Sequence, residues 1–341
     1  MDDVKLLYIG NNLFNKTGYP TTIQTLSKQL RGEGYKVEIT SGKLNKVARM
    51  LDIIYNILKH QKQVDFVLID TYSTINFYYA YIASNILRVL NKPYIPILHG
   101  GNLPNRLKKS PQLSKSIFLN AYINVAPSEY LEKAFQQEGY KTICIPNTLN
   151  IERYTFKKRE VITPKLLYVR SFAEIYNPQM AIKTLYELKK EYPEAKLCMV
   201  GPDRDGTLKE VKALVAELDL ENSVEFTGVL TKKEWHKKAI DFDVFINTSN
   251  IDNMPVSIIE AMALGLPVVT TNVGGIKYLI NNNINGTLVN PNDVEAMKNA
   301  TIALIKNRTG NSTEKARKEV EDFQWSVVKH KWNKLLKKHD I

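Results

Sequence analysis

The chain has 341 residues, enough at about 150 per domain for two ordinary domains with separate cores, and one compact domain is the poorer reading. With 44% apolar and 24% charged residues, and only 16 Gly and 14 Pro, it reads as a water-soluble globular chain, which excludes collagen-like, low-complexity and disordered classes. Lys plus Arg outnumber Asp plus Glu by 47 to 35, and that +12 attracts polyanions, anionic lipid surfaces or phosphorylated small molecules without choosing among them.

The opening "MDDVKLLYIG" starts acidic and runs into a strand pattern, unlike a basic signal peptide, so a cytoplasmic location is expected, with peripheral attachment to the inner face of the cell membrane as an option. Short apolar runs then alternate with longer amphipathic segments: "VKLLYIG" (4–10), "YKVEIT" (35–40), "DFVLID" (65–70), "PYIPILHG" (93–100), "AYINVAP" (121–127) and "KTICIPN" (141–147). Runs apolar on both faces and separated by helix-length segments predict a parallel sheet covered on both sides. The stretch Ile75 to Leu90 is broken by Asn76, Ser84, Asn85 and Arg88, so it predicts a buried helix and not a membrane span. Cys144 and Cys198 each sit in an apolar run and read as small core residues, not as a disulfide framework.

A charged, aperiodic stretch (151–164) predicts a linker, and the rhythm restarts with "KLLYVRS" (165–171), "KLCMVG" (196–201), "SVEFTG" (223–228), "DVFINTS" (243–249), "PVVTT" (267–271) and "GTLVN" (286–290). The expected fold is therefore α/β: two doubly wound Rossmann-like halves, residues 1–158 and 159–322, facing across a cleft, with a basic amphipathic helix (323–341) returning to the first half.

The loop and helix "SNIDNMPVSIIEAMALGLPVV" (249–269) hold the densest chemistry. A helix over 255–264, with Pro255 at its first position and Gly265 closing it, offers free amides and a positive dipole end to a diphosphate. Asp252 and Glu260, eight residues apart, suit two separate parts of one ligand; an ordinary acid-decorated helix start remains open. Two Asp-x-Asp spellings, Asp203/Asp205 and Asp241/Asp243, lack the cluster of oxygen ligands that a hard cation needs. Two basic amphipathic stretches complete the inventory. In residues 43–63 the stripe Leu44, Val47, Leu51, Ile54 and Leu58 reads as core packing with a solvated basic face. In residues 102–120 Arg106, Lys108, Lys109 and Lys115 read as a contact with anionic lipid.

The run from Asp252 to Ala261 followed by "MALGLPVVTTNVGG", together with "PNTLNIERY" (146–154), "GPDRDGTLKEVKALVAELDLENSVEFTGVL" (201–230) and "FQWSVVKHKW" (323–332), resembles the family-4 (group 1) retaining glycosyltransferases of the GT-B fold over nearly the whole chain. The resemblance implies a nucleotide-sugar donor, a hydroxyl on a glycan or lipid-linked acceptor, and neither metal nor cofactor. It assigns Glu260 to the ribose hydroxyls, Asp252 with the amides of Asn253 and Met254 to the sugar and diphosphate, and His99 of "ILHGG" to the donor sugar. Gly18 in the loop after the first strand, and Gly274 and Gly275 of "NVGG", join the donor-binding set. By residue type alone, His99 is a strand-end histidine satisfied by backbone and Gly18 a turn glycine. The chain also departs from the family pattern: Asp252 replaces a Glu, Arg170 is offset by one position, Tyr176 stands where a Lys is expected and Tyr278 where a further Glu is expected. Arg170 with Lys277 or Lys16 is the expected source of the missing cation. The rival readings are a non-catalytic nucleotide-binding partner subunit and a sugar-nucleotide epimerase of the same fold. A nucleic-acid partner is not expected, since no clustered basic-aromatic face is legible.

Overall fold

The computed structural model describes residues 4–12, 21–40, 42–306 and 312–337, and its β/α rhythm resolves into two units: residues 1–148 with 325–341, and residues 149–324. In the first, the strands are β1 (Lys5–Ile9), β2 (Lys36–Thr40), β3 (Phe66–Tyr72), β4 (Tyr94–His99), β5 (Asn124–Ala126) and β6 (Thr142–Cys144). The helices between them are α1 (Thr22–Gly32), α2 (Lys46–His60), α3 (Asn76–Val89), α4 (Leu103–Lys109), α5 (Pro111–Phe118) and α6 (Glu129–Gln137). Every strand pair is parallel and the order is β2-β1-β3-β4-β5-β6. Parallel neighbours need a crossover between them, and the intervening helices supply it. Strand alternation sends Leu7, Ile9, Val67 and Ile69 to one apolar layer and Leu6, Tyr8, Phe66 and Leu68 to the other, so both faces are filled.

The second unit contains β7 (Lys165–Val169), α7 (Pro178–Lys189), β8 (Lys196–Val200), α8 (Thr207–Glu217), β9 (Val224–Gly228), α9 (Lys232–Lys238), β10 (Val244–Asn247), α10 (Val256–Ala263), β11 (Val268–Thr271), β12 (Thr287–Val289), α11 (Val294–Lys306) and α12 (Ser312–Glu321). Its sheet is parallel in the order β12-β11-β10-β7-β8-β9, the doubly wound pattern whose switch point lies between β7 and β10. In the first sheet the strand order reverses between β1 and β3. Open α/β sheets bind ligands outside the carboxyl ends of strands at such points.

Three expectations change. The segment read as a linker packs into the second unit: Ile151 and Tyr154 join its core, and the buried Arg159 guanidinium donates to the carbonyls of Phe242 (3.0 Å), Ala239 (2.9 Å), Gly265 (2.9 Å), Leu264 (3.3 Å) and Lys157 (3.1 Å). Such carbonyl-bound packing leaves no periodic trace in a sequence. The stripe of α2 read as core instead faces solvent at Leu44, Val47, Leu51 and Leu58, while Ile53, Ile57 and Arg49 turn inward. Both faces of this helix are apolar, and periodicity cannot say which one meets a sheet. Arg106 is not a free surface cation: its guanidinium lies over the rings of Phe77 (4.6 Å) and Tyr78 (5.2 Å). Cys144 and Cys198 are free thiols, pushed up to about 11 and about 12 by burial.

After α12 the chain returns to the first unit as α13 (Trp325–Leu335). Val328, Trp332, Leu335 and Leu336 enter the apolar layer of Leu6, Tyr8 and Ile95, and Trp325 Nε1 donates to Glu33 Oε1 (3.2 Å). Among the described residues no helix is long and apolar enough to cross a membrane.

Candidate functional site

In the second unit the carboxyl ends of β7 and β10 bring Arg170 and Asp252 together, with Arg170 Nη2 2.6 Å from Asp252 Oδ2. Tyr176, in the one-turn helix Glu174–Tyr176, lies under the guanidinium with its ring centre 4.1 Å away. Tyr176 therefore brings no charge of its own but gives Arg170 a cation–π seat. Burial raises the Asp252 carboxyl, and the Arg170 charge opposes that rise without cancelling it.

The loop from 250 to 255 is held from below. Gly275 N donates to Asp252 O (3.0 Å), and side-chain carbons built at Gly274 and Gly275 would each come 2.0 Å from the carbonyl oxygens of Asp252 and Asn253. Both glycines thus serve the close approach of two backbones, Gly274 also at φ +51°. Asn253 N, expected to address a diphosphate, donates instead to Asp252 Oδ1 (2.9 Å). Met254 packs partly buried against the apolar cluster below α10. Pro255 is the residue before the helix, not its first turn, because α10 begins at Val256 with no side-chain cap. Ser257 Oγ and Arg170 Nε are buried here without a protein hydrogen-bond partner, as is Asn250 Oδ1. Unsatisfied donors beside an uncapped helix start are the chemistry of an anion site.

Glu260, deep in α10, faces a different group. Its Oε1 accepts from Tyr154 Oη (2.8 Å) and from Lys232 Nζ (2.6 Å), while Oε2 stands 3.9 Å from His236 Nε2. A capping box, Thr231 with Glu234, starts α9 and puts Lys232 and His236 four residues apart on one face. Burial pushes the Glu260 carboxyl up, but His236, Lys232 and Tyr154 together outweigh it, and the group ends below its ordinary value. Lys277, one of the expected cations, is exposed in the turn Ile276–Tyr278 with its Nζ 5.4 Å from the Tyr278 ring. The lysine at Glu260 is Lys232, and its spacing with His236 is its only signal in the sequence. Asp205 and Asp243 serve local structure: Asp205 accepts from Glu174 N (3.0 Å) and Thr207 N (3.2 Å), and Asp243 from Thr163 N (3.1 Å).

The first unit has its own polar focus at its switch point. Register pairs Tyr72 of β3 with His99 of β4, and their rings stack 4.9 Å apart. Asp70 Oδ1 accepts from Tyr8 Oη (2.8 Å) and lies 2.8 Å from His99 Nε2. Gly10 closes over this carboxylate, since a side-chain carbon there would sit 2.2 Å from Asp70 Oδ2. His99 is thus held by a buried carboxylate and not by backbone. Asp70, a carboxylate at the end of the apolar run Phe66–Ile69, is the sequence signal for this focus. Gly18 and Lys16 lie outside the described residues.

Residues 151–322 match the family model described as glycosyl transferases group 1, half of the chain. The chain belongs to that family. Among its curated relatives, an uncharacterized glycosyltransferase of Haemophilus influenzae is 28% identical over 68% of this chain and 65% of its own. The amylovoran biosynthesis glycosyltransferase AmsK of Erwinia amylovora is 25% identical over 65% of this chain and 58% of its own. These matches span less than two thirds of either relative. The crystal structure of Anabaena HepE in complex with UDP-glucose aligns with a TM-score of 0.75 at 18% identity, covering 97% of this chain and 99% of that one. At that identity the likeness shows the fold, so this member of the group 1 family has the GT-B architecture of two parallel α/β units.

Proposed function

We propose that the chain is a retaining, family-4 glycosyltransferase that moves a sugar from a nucleotide-sugar donor to a hydroxyl on a glycan or lipid-linked acceptor, without a metal ion or cofactor. Its setting in this reading is surface polysaccharide or glycolipid biosynthesis, at the inner face of a membrane. The observation that carries the reading is the Arg170–Asp252 pair beside the uncapped start of α10, at the switch point of a group 1 family chain.

When the sugar–phosphate bond breaks, negative charge grows on the leaving diphosphate, and Arg170 with the first amides of α10 and Ser257 Oγ is what this chain offers to it. Glu260 Oε2, the oxygen without a short hydrogen bond, takes a ribose hydroxyl in this reading. Asp252 and His99 orient the sugar; Gly274 and Gly275 fix the loop that carries Asp252, and Gly18 and Lys277 are secondary donor contacts. Retention places the incoming hydroxyl on the face of the departing oxygen: the acceptor oxygen bonds to the anomeric carbon as that carbon's bond to phosphate breaks, and the proton passes to the phosphate.

A thermal-shift screen of UDP-, GDP- and ADP-sugars identifies the donor, because a ligand that binds only the folded chain stabilises it by RT ln(1 + [L]/Kd). Incubation of that donor with glycan and lipid-linked hydroxyl acceptors then gives an α-linked product by NMR, insensitive to EDTA and lost in Asp252→Ala. Donor binding with neither transfer nor hydrolysis would leave a nucleotide-binding subunit, the alternative that Tyr176 and Tyr278 favour. An inverted or EDTA-sensitive product would overturn the retaining or metal-independent part.

A further inference from the structure

Helix α2 has two apolar faces and only one of them is used. On the inner face Arg49 Nη1 donates to Asn11 Oδ1 (3.0 Å), and Arg49 and Ile53 line a small cavity with Gly10, Asp70 and Tyr72, next to His99. On the outer face Leu44, Val47, Leu51, Tyr55 and Leu58 are between 48% and 70% exposed. Their spacing returns every three or four residues, so they form one continuous stripe running from the turn before α2 along its length.

The stripe is flanked by cation. Lys43 and Lys46 lie at its start, Lys59 and Lys62 at its end, and Lys59 Nζ sits 5.9 Å over the Tyr55 ring. The one acid between residues 43 and 62, Asp52, is turned away to accept from Thr40 Oγ1 (2.8 Å). Exposed apolar chains between lysines that can extend past them to phosphate oxygens are the pattern of a helix lying in a headgroup layer. A second copy of the chain fits poorly, since pairing two such helices in either direction sets lysine ends against lysine ends with no acid to answer them.

We propose that the outer face of α2 lies on an anionic bilayer, with its apolar stripe among the acyl-chain ends and its lysines on lipid phosphates. This deepens and rests on the membrane setting proposed above. It places the small cavity lined by Arg49, Asp70 and Tyr72 about one helix diameter, roughly 10 Å, from the lipid surface, within reach of an acceptor hydroxyl on a lipid carrier.

The test is flotation of the full chain with phosphatidylcholine vesicles containing phosphatidylglycerol, against phosphatidylcholine alone. Wild type floats with the anionic vesicles, less so as salt rises. The variant V47S/L51S/L58S, altered only at exposed positions, keeps its circular dichroism and binds at least about tenfold more weakly. K59Q/K62Q weakens binding about thirtyfold. Equal flotation on neutral vesicles, no flotation, or a triple variant that floats like wild type overturns the proposal. So does light scattering that shows a wild-type dimer made monomeric by V47S/L51S/L58S with no lipid bound. Because lipid binding is read without turnover, a failure here and a failure of sugar transfer are told apart.

Discussion

Around the buried Glu260 carboxylate stand a tyrosine hydroxyl, a lysine and an imidazole. Because its folded value lies below its ordinary 4.5, its contribution to stability is fully present above 4.5 and is lost as pH falls through the lower folded value. Glu260→Gln is therefore expected to lower stability by about 1–3 kcal/mol at neutral pH, with the difference shrinking below 4.5 in thermal melts across pH. The variant keeps an acceptor for Tyr154 and loses the charge that faces His236, the largest cause of the lowering, and Lys232, whose side chain is 60% exposed so that its pair with Glu260 is screened. Tyr176 makes a second residue-scale test. It touches Arg170 through its ring face, so Tyr176→Leu removes a contact worth about 0.5–2 kcal/mol while Tyr176→Phe keeps it. Under the transfer reading the donor KM rises several-fold in Tyr176→Leu with little change in kcat, and Phe restores it. A purely structural tyrosine would instead lower Tm in Tyr176→Leu and leave the donor KM unchanged.

At the scale of elements, the turn holding Gly274 and Gly275 fixes the loop before α10 by backbone contact. Gly275→Ala sets a methyl 2.0 Å from the Asn253 carbonyl oxygen, and the loop must move to accept it. The expected outcome is a loss of about 1–3 kcal/mol in denaturant unfolding, with donor binding weakened beyond that of a remote variant of equal stability. The twelve strands among the described residues are legible as short apolar runs, because the inner strands are buried on both faces by helices. His99, Arg170 and Asp252, which the family resemblance singles out, lie at or just beyond the carboxyl ends of such runs. What stayed hidden obeys no period. Residues 151–164 read as a linker because their backbone is irregular: Arg159, and Arg317 through its contacts with the Tyr154 and Ala263 carbonyls, hold it by hydrogen bonds while Ile151 and Tyr154 enter the core without a period. Lys232 and His236 carry no sequence signal of a site because nothing local says that Glu260 lies across from them. The two faces of α2 differ in burial and hardly in composition, so the inward one had to be seen.

For the molecule as a whole, the decisive feature is that the first unit is discontinuous in sequence: the chain leaves it at Thr148 and re-enters it at Trp325. Its apolar layer contains Leu6, Tyr8 and Ile95 from the beginning of the chain and Trp332 from the end, so its closure waits on the last helix. Trp332 is 3% exposed, and truncating a buried tryptophan costs about 3–5 kcal/mol in lost transfer and cavity. Its neighbours in sequence, α11 and α12, belong to the other unit, which gives the prediction its sign. Trp332→Ala is expected to speed amide hydrogen exchange in β1, β2 and β3, far away along the chain. Exchange in β10, β11 and β12, nearer along the chain, should stay within the spread of a surface control such as Lys318→Ala. Mass-spectrometric exchange on peptic peptides resolves the two sets of strands. Faster exchange confined to β10–β12 would mean that α13 supports the second unit, and the assignment of the chain's end to the first sheet would fall.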